Sequence, residues 1–280
     1  MALNEQSVVA VHEDAGPGYR FLVLDAPKLA AVLVPGQFVH VRVPGLETTA
    51  LRRPFSVFDA DAGRVTLLYK VVGRGTAALA HVRPGDGVEV MGPLGRGFPT
   101  APKGVPLLVG GGYGVAPLHS LAKRLIAQKR QECRFPDSAQ PGEAALSPLQ
   151  PVVPILFVGG RTKDDLLALD RFAALGVEVR VATNDGSAGE KGFVTGPLDA
   201  ALDDLRARGE AFELFTCGPD GLLKAVADRA VSAKMPGWIS MDRHMVCGVG
   251  ACYACIQKTV RGNSRCCVEG PVFRAEDLVW

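Results

Sequence analysis

Toward its C-terminal end the chain carries Cys247, Cys252 and Cys255 in the spacing C-x4-C-x2-C, and Cys266 and Cys267 follow. Three thiolates so spaced, with a fourth further on, can hold two irons bridged by two sulfides, as in plant-type [2Fe–2S] sites. Gly248 and Gly250 lie inside this hook. A loop wound tightly around a cluster needs their backbone freedom and the close approach of its amides. The alternatives are a structural zinc site or a set of buried thiols. Zinc usually takes two C-x2-C-like pairs or a mixture of Cys and His, and the hook has one such pair. A chain built this way moves single electrons.

A second candidate is the run Gly110, Gly111, Gly112, Tyr113, Gly114, Val115, Ala116, Pro117. It follows an apolar strand pattern and precedes a helical one. A tight glycine turn in that place brings phosphate oxygens onto free amides at a helix N-terminus. Pro117 suits a first helical turn, where a missing N–H costs nothing. The run departs from G-x-G-x-x-G at its last glycine, and many glycine turns serve only to pack a helix on a sheet. Two further strand ends, Asp185 within Thr183–Ser187 and Cys217-Gly218-Pro219, would line the same crevice. Asp185 could accept from an adenosine ribose and repel a 2′-phosphate, favouring NAD over NADP; an Asx-turn accounts for it equally well. Cys217 could stand beside a nicotinamide, or be a small buried hydrophobe.

Three segments must position these groups. Residues 1–101 read as short β-branched and aromatic runs (Val8–Val11, Tyr19–Leu24, Phe38–Val43, Ser56–Phe58, Val65–Val72, Val88–Met91) between Gly, Pro and Asp turns, the pattern of a small antiparallel barrel. Val39, Val41 and Val43 alternate with His40 and Arg42, which predicts a half-buried strand with His40 on the solvent side. Residues 102–236 alternate strands (Leu107–Val109, Ile155–Val158, Val177–Ala182, Leu214–Cys217) with helices (Pro117–Arg130, Leu166–Ala174, Pro197–Arg208, Leu222–Ala233). That rhythm predicts a Rossmann-like parallel sheet with helices on both faces. Residues 131–151 break the rhythm and read as a surface insertion. Residues 237–280 hold the cysteine hook as a small module and end on an apolar tail with Trp280.

Composition narrows the function classes. Apolar residues are 48% of the 280, enough for large cores. The 31 basic and 29 acidic residues nearly cancel, which argues against a nucleic-acid binder. No apolar stretch is long enough for a membrane span, and the N-terminus does not resemble a signal peptide. Five of the seven cysteines crowd into the last 34 residues, which suits a metal site in a reducing compartment, the cytoplasm, rather than a disulfide framework.

In the barrel segment Arg52, Arg53, Pro54, Phe55 and Ser56 are followed by Tyr69, Lys70, Val71 and then Gly73, Arg74, Gly75, Thr76. An arginine, a hydroxyl and a Gly-Thr turn could hold a pyrophosphate, with Phe55 and Tyr69 beside a flat ring. Together with the glycine turn and the hook, these residues resemble the ferredoxin–NADP reductase superfamily, and within it the electron-transfer subunits of NAD-linked, class 1B dihydroorotate dehydrogenases. The resemblance covers nearly the whole chain apart from 131–151. It implies FAD contacts at Arg53, Pro54, Phe55, Ser56, Tyr69, Lys70, Val71, Gly75 and Thr76, and a Gly-Pro-Leu-Gly segment at Gly92–Gly95. It implies an NAD crevice at Gly111, Gly112, Gly114, Asp185, Cys217, Gly218 and Pro219, and cluster ligands at Cys247, Cys252 and Cys255. In the family the last cysteine stands just ahead of an acidic-Gly-Pro-Val-Phe string, here Glu269–Phe273, which selects Cys267 over Cys266 as the fourth.

By that resemblance the chain is an oxidoreductase subunit of pyrimidine biosynthesis. It would take electrons from the FMN of a dihydroorotate dehydrogenase catalytic subunit through [2Fe–2S] and FAD to NAD+, in a heterotetramer of two of each chain. No residue reads as a dihydroorotate base; the cofactors carry the chemistry. Other readings of the same three modules are an NAD(P)H reductase subunit of a hydrogenase or bifurcating transhydrogenase, a stand-alone diaphorase, and a redox sensor. Several such reductase subunits resemble this chain but carry aspartate where Cys247 stands.

Overall fold

The computed structural model describes residues 2–46, 51–134 and 153–280. Six antiparallel strands come first: β1 (Leu3–Gly16), β2 (Tyr19–Asp25), β3 (Phe38–Arg42), β4 (Arg53–Asp61), β5 (Arg64–Lys70) and β6 (Gly87–Leu94). They close into a barrel in the order β1-β2-β5-β4-β3-β6, the arrangement that abolishes free sheet edges. Leu22, Leu24, Val39, Val41, Phe55, Val57, Val65, Leu67, Val88 and Val90 fill its interior. Two short helices, α1 (Pro27–Ala30) and α2 (Arg74–Leu79), occupy stretches that composition marks only as turns. Glu5 caps α1, its carboxylate accepting from the amides of Leu29 at 2.8 Å and Lys28 at 3.1 Å. β1 runs well beyond Val8–Val11, because irregular pairing between Val9 and Val11 disguises its alternation.

The second layer system is an α/β sheet. Its strands are β7 (Val105–Gly111), β8 (Ile155–Gly160), β9 (Glu178–Thr183), β10 (Glu190–Lys191), β11 (Phe212–Cys217) and β12 (Gly237–Ser240). The connecting helices are α3 (Ala116–Arg134), α4 (Leu169–Ala174), α5 (Thr195–Ala207) and α6 (Asp220–Ala233). A hairpin of β13 (Ile256–Thr259) and β14 (Gly262–Arg265) stands apart, and β15 (Val272–Arg274) returns to the sheet. The order is β10-β9-β8-β7-β11-β12-β15, parallel except for β15 against β12. The chain moves outward from β7 on one side through β8 and on the other through β11, so the topological switch point lies between β7 and β11. α3 continues to Arg134, taking in the first residues of the expected insertion; the remainder, 135–151, lies outside the described residues.

Barrel and sheet meet through an aromatic seam. Phe58 of β4 stacks on His119 of α3 with centroids 4.0 Å apart, and His119 meets Phe172 of α4 edge-on at 5.1 Å. Burial drives the His119 imidazole down to about 4, so it packs as a neutral ring. At the rim Lys123 bridges Asp59 and Asp61 at 2.7 and 3.0 Å.

One expectation fails. His40 is not on a solvent face: it is fully buried, because the cysteine hook folds over the outside of β3.

Candidate cofactor sites

The hook occupies the connection between β12 and β13, and its second stem runs from β14 to β15. Gly248 and Gly250 sit at φ +72° and +81°, and Tyr253 at +57°. The left-handed turns direct consecutive amides inward. Burial pushes the Cys247 thiol up, but amides of Val249, Cys252 and Ala251 and the Cys252 side chain outweigh it and bring the thiol down to about 6. Cys267 behaves oppositely. Burial and its hydrogen bond with the Cys255 thiol push it up to about 12, against a hydrogen bond from the Gly250 amide. The four thiols therefore form two linked pairs, Cys247 with Cys252 and Cys255 with Cys267, and Cys267 feels Cys247 as well. Among the described residues no group of three or more His, Cys, Asp or Glu side chains gathers tightly enough to hold a single metal ion. Two pairs suit a binuclear cluster, with two thiolates on each iron. Cys266 is also fully buried, its thiol pushed up to about 12 by burial first and then by the Cys255 thiol, and its amide donates to Cys255 O at 3.0 Å.

The barrel motif splits by strand register. Paired residues share a face, and β3 and β4 pair His40 with Pro54 and Phe38 with Ser56. Pro54 and Ser56 thus face outward, while Phe55 and Tyr69 turn into the barrel, their centroids 5.5 Å apart. Both rings are buried among the apolar residues of the barrel. The Tyr69 hydroxyl meets His12 Nε2 at 3.0 Å. Arg53 does come to its expected partner. A Cβ on Gly75 would lie 3.1 Å from Arg53 Cζ, so the guanidinium rests on the first turn of α2. Thr76 closes that turn, its Oγ1 accepting from the amides of Val72 and Gly73 at 2.9 and 3.1 Å. Val71 is held by its amide to Gly18 O at 2.8 Å. Lys70 reaches the α/β side, where its Nζ donates to the Tyr19 hydroxyl at 3.0 Å and that hydroxyl donates to Asp165 at 2.8 Å.

At the switch point Gly110 and Gly111 end β7, a tight turn over Gly112–Val115 follows, and α3 begins with Pro117 in its first turn. Gly114 lies against the end of β11: a Cβ there would sit 2.6 Å from the carbonyl carbon of Cys217 and 2.7 Å from Gly218 Cα. Gly111 similarly faces Pro219, at 3.0 Å from a would-be Cβ. The glycine turn and Cys217–Pro219 therefore form one crevice floor. Its polar groups include Asp242 and Ser240, two that the sequence does not single out. The Tyr113 hydroxyl donates to Asp242 at 3.0 Å, and burial, then Asp242, push that phenol far up. Burial likewise pushes the Cys217 thiol up to about 12, Asp242 adds to it, and Ser240 bonds the sulfur. Ser240 ends the short strand β12 and Asp242 follows it, where there is little periodic signal. Asp185 stands apart at the end of β9, its Oδ1 accepting from the Ser187 amide at 2.9 Å and hydroxyl at 2.7 Å, an Asx-turn.

Comparison with known proteins decides the lineage. Residues 8–98 match the oxidoreductase FAD-binding domain, and residues 242–279 match the iron-sulfur cluster binding domain of dihydroorotate dehydrogenase B. The dihydroorotate dehydrogenase B (NAD(+)) electron transfer subunit of Bacillus caldolyticus is 41% identical over 254 residues, covering 88% of this chain and 86% of its own. The subunit of the same name from Desulforamulus reducens is 35% identical over 283 residues, covering 99% and 98%. The chain belongs to this family of electron transfer subunits. Family membership places the hook in the iron-sulfur domain and the barrel in the FAD-binding one, the fold that the alternating patterns predict. A solved structure of an NADH-dependent reduced ferredoxin-NADP oxidoreductase, studied for flavin-based electron bifurcation, overlays with a TM-score of 0.78 at 29% identity, covering 99% of this chain and 90% of that one. No helix among the described residues is long and apolar enough to cross a membrane.

Proposed function

We propose that the chain is the electron outlet of an NAD-linked dihydroorotate dehydrogenase, relaying electrons from the FMN of a separate catalytic subunit through [2Fe–2S] and FAD to NAD+. The observation that carries this reading is the set Cys247, Cys252, Cys255 and Cys267 within residues 242–279, which match the iron-sulfur cluster binding domain of dihydroorotate dehydrogenase B. When bound, the cluster passes electrons singly and the flavin collects two for hydride transfer. The chain's own residues hold and orient. Arg53, against Gly75 and Thr76 at the first turn of α2, supplies charge and donors for the flavin pyrophosphate. Ser56 and Pro54, on the outer barrel face, border the flavin ring. The hook amides stabilise thiolate at Cys247. Gly111, Gly112, Gly114 and Cys217–Pro219 let a dinucleotide lie close to backbone at the switch point.

Asp185 is the residue that sets NAD over NADP in this reading. Asp185→Ala is expected to raise kcat/KM for NADPH relative to NADH by about tenfold, since a like charge would no longer oppose the 2′-phosphate. An unchanged ratio, with only a lower melting temperature, would leave Asp185 as the Asx-turn residue alone.

The partner carries the FMN and the base that deprotonates dihydroorotate, in a complex of two of each chain in the cytoplasm. Around the hook Val249 is 54% and Tyr253 63% exposed, and Val246 is also exposed. This apolar rim is the docking face for that partner. A second reading, an NAD(P)H reductase subunit of a bifurcating complex, draws on the 0.78 TM-score likeness to the NADH-dependent oxidoreductase.

The test mixes the anaerobically purified chain with an FMN-bearing catalytic subunit from the same source, adds dihydroorotate and NAD+, and follows NADH absorbance. NADH formation that needs both chains is the expected result. Catalytic turnover only with other acceptors, while NADH still bleaches this chain's flavin, would overturn it in favour of the second reading.

A further inference from the structure

His40 stands where the barrel meets the hook. Its side chain has no solvent exposure, and neither Nδ1 nor Nε2 has a hydrogen-bond partner among the described residues. Buried polar groups are almost always satisfied, so an imidazole orphaned at both nitrogens points to an acceptor or donor supplied by something other than the polypeptide. Its cross-strand neighbours are Pro54 on β4 and Met91 on β6, and neither side chain offers an N–H or O–H. Phe38 covers another side, with centroids 5.6 Å apart.

The remaining side is the hook. A Cβ on Gly248 would lie 2.9 Å from His40 Cε1 and 3.1 Å from each of Nδ1 and Nε2. Nearly equal distances to all three atoms place Gly248 over the face of the ring on its N–C–N side, at the turn that carries the first cluster thiol. Gly248 at φ +72° both permits that turn and leaves room for the ring. A neutral imidazole carries one N–H and one acceptor nitrogen. The ring is neutral at physiological pH because burial, and then the charge of nearby Arg52, hold it down at about 4. Arg52 has its own buried Nη1 without a partner among the described residues, and its Nη2 pairs with Glu89.

We propose that His40 donates its imidazole N–H to a sulfur of the [2Fe–2S] cluster, on the Cys247 side of the hook, and thereby raises the cluster's reduction potential. The inference rests on the cluster reading above. Reduction adds negative charge to the cluster sulfurs, and a hydrogen bond to sulfur stabilises the reduced form more than the oxidised one. His40 is a positioning residue: it touches the cluster environment and takes no part in bond making. Its place on the outer barrel face, beside Pro54 of the flavin motif, makes it a tie between the two cofactor modules as well.

The experiment uses the full chain purified anaerobically with flavin and iron, in wild-type, His40→Phe and His40→Gln forms. Iron and sulfide content come first. A wild-type protein without cluster would remove the cluster reading, and this inference with it. With cluster present, an EPR-monitored redox titration gives the cluster midpoint, and flavin absorbance gives the flavin midpoint. His40→Phe is expected to shift the cluster equilibrium toward oxidised by about tenfold, a fall of about 59 mV for a one-electron couple. His40→Gln, which keeps an N–H, should restore most of it, and the flavin midpoint should stay put. A cluster midpoint in His40→Phe within twofold of wild type, or a shift of the flavin instead, would overturn the proposal. Should His40→Phe fail to retain cluster, pulsed EPR of the reduced wild-type and His40→Gln proteins, each grown with 15N-histidine, decides. A nitrogen coupling present in wild type and lost in His40→Gln supports the contact, and identical spectra refute it.

Discussion

Cys267→Ser is expected to abolish or strongly alter the visible absorption of the cluster, while Cys266→Ser leaves it in place. The two residues are neighbours, both buried, and the thiols of both are raised to about 12. What separates them is direction. Cys267 shares a hydrogen bond with Cys255, accepts from the Gly250 amide and feels Cys247, so it faces the loop. Cys266 sends its amide to Cys255 O at 3.0 Å, and its thiol, raised by burial first, lies in the same core as Cys255 and Cys267 without the contacts to Gly250 and Cys247 that mark Cys267. Two irons in place of thiol protons would invert the electrostatics at Cys267, because a bound metal deprotonates its thiol ligand outright. Serine at 267 offers a harder, more basic ligand and should cost cluster occupancy or shift its spectrum. Serine at 266 leaves a buried hydroxyl to satisfy and should cost roughly 1–3 kcal/mol of stability with the spectrum intact. Iron content and absorption spectra of the two variants settle the matter, and the opposite pattern would sink the assignment.

Gly114→Ala should damage the nucleotide crevice more than any other single methyl group. The added Cβ would meet main-chain atoms, Cys217 C at 2.6 Å and Gly218 Cα at 2.7 Å, rather than the yielding tip of a side chain. Either the turn after β7 lifts or the end of β11 retreats, and the floor of the switch-point crevice opens. Overpacking of this kind costs roughly 1–3 kcal/mol, and reduction of the flavin by NADH is expected to slow at least tenfold, since small misplacements of bound reactants are costly. Gly221→Ala is the companion variant. It lies in the first turn of α6 with nothing within 4 Å of a would-be Cβ, so it should be neutral or slightly stabilising. Thermal melts and stopped-flow reduction of both variants check the contrast. Equal behaviour would mean that the glycine turn does not shape the crevice.

Much of the architecture was legible from periodicity, and the exceptions share a cause. Alternation identifies strands of a closed barrel because each has one wet and one dry face. It mislocates His40, since the outer face of β3 is dry for a reason encoded two hundred residues away, in the hook. It likewise cannot assign Phe55 and Tyr69 to the interior, because a one-residue difference in register exchanges the faces. β12 and β15 escape notice because four- and three-residue strands carry too little pattern; their place is set by pairing with β11 and with each other. The cysteine spacing and the glycine turn were readable since their chemistry is local. Asp242 and Ser240 were not, because only the sheet brings them to Cys217.

The hook leaves the sheet just after β12 and re-enters it at β15, and its two stems are zipped together, Ser240 opposite Val272 and the Met241 amide bonded to Pro271 O at 2.9 Å. Departure and arrival are thus a strand spacing apart. The whole metal-bearing excursion is an insertion into one hairpin rather than an appended domain. Such a piece can be transplanted, lost or exchanged in a lineage without rerouting the chain, provided the recipient sheet has two adjacent antiparallel strands to receive it. Cutting the excursion out of this chain would leave β12 and β15 to be joined by a single turn, so its removal would be an edit rather than a redesign.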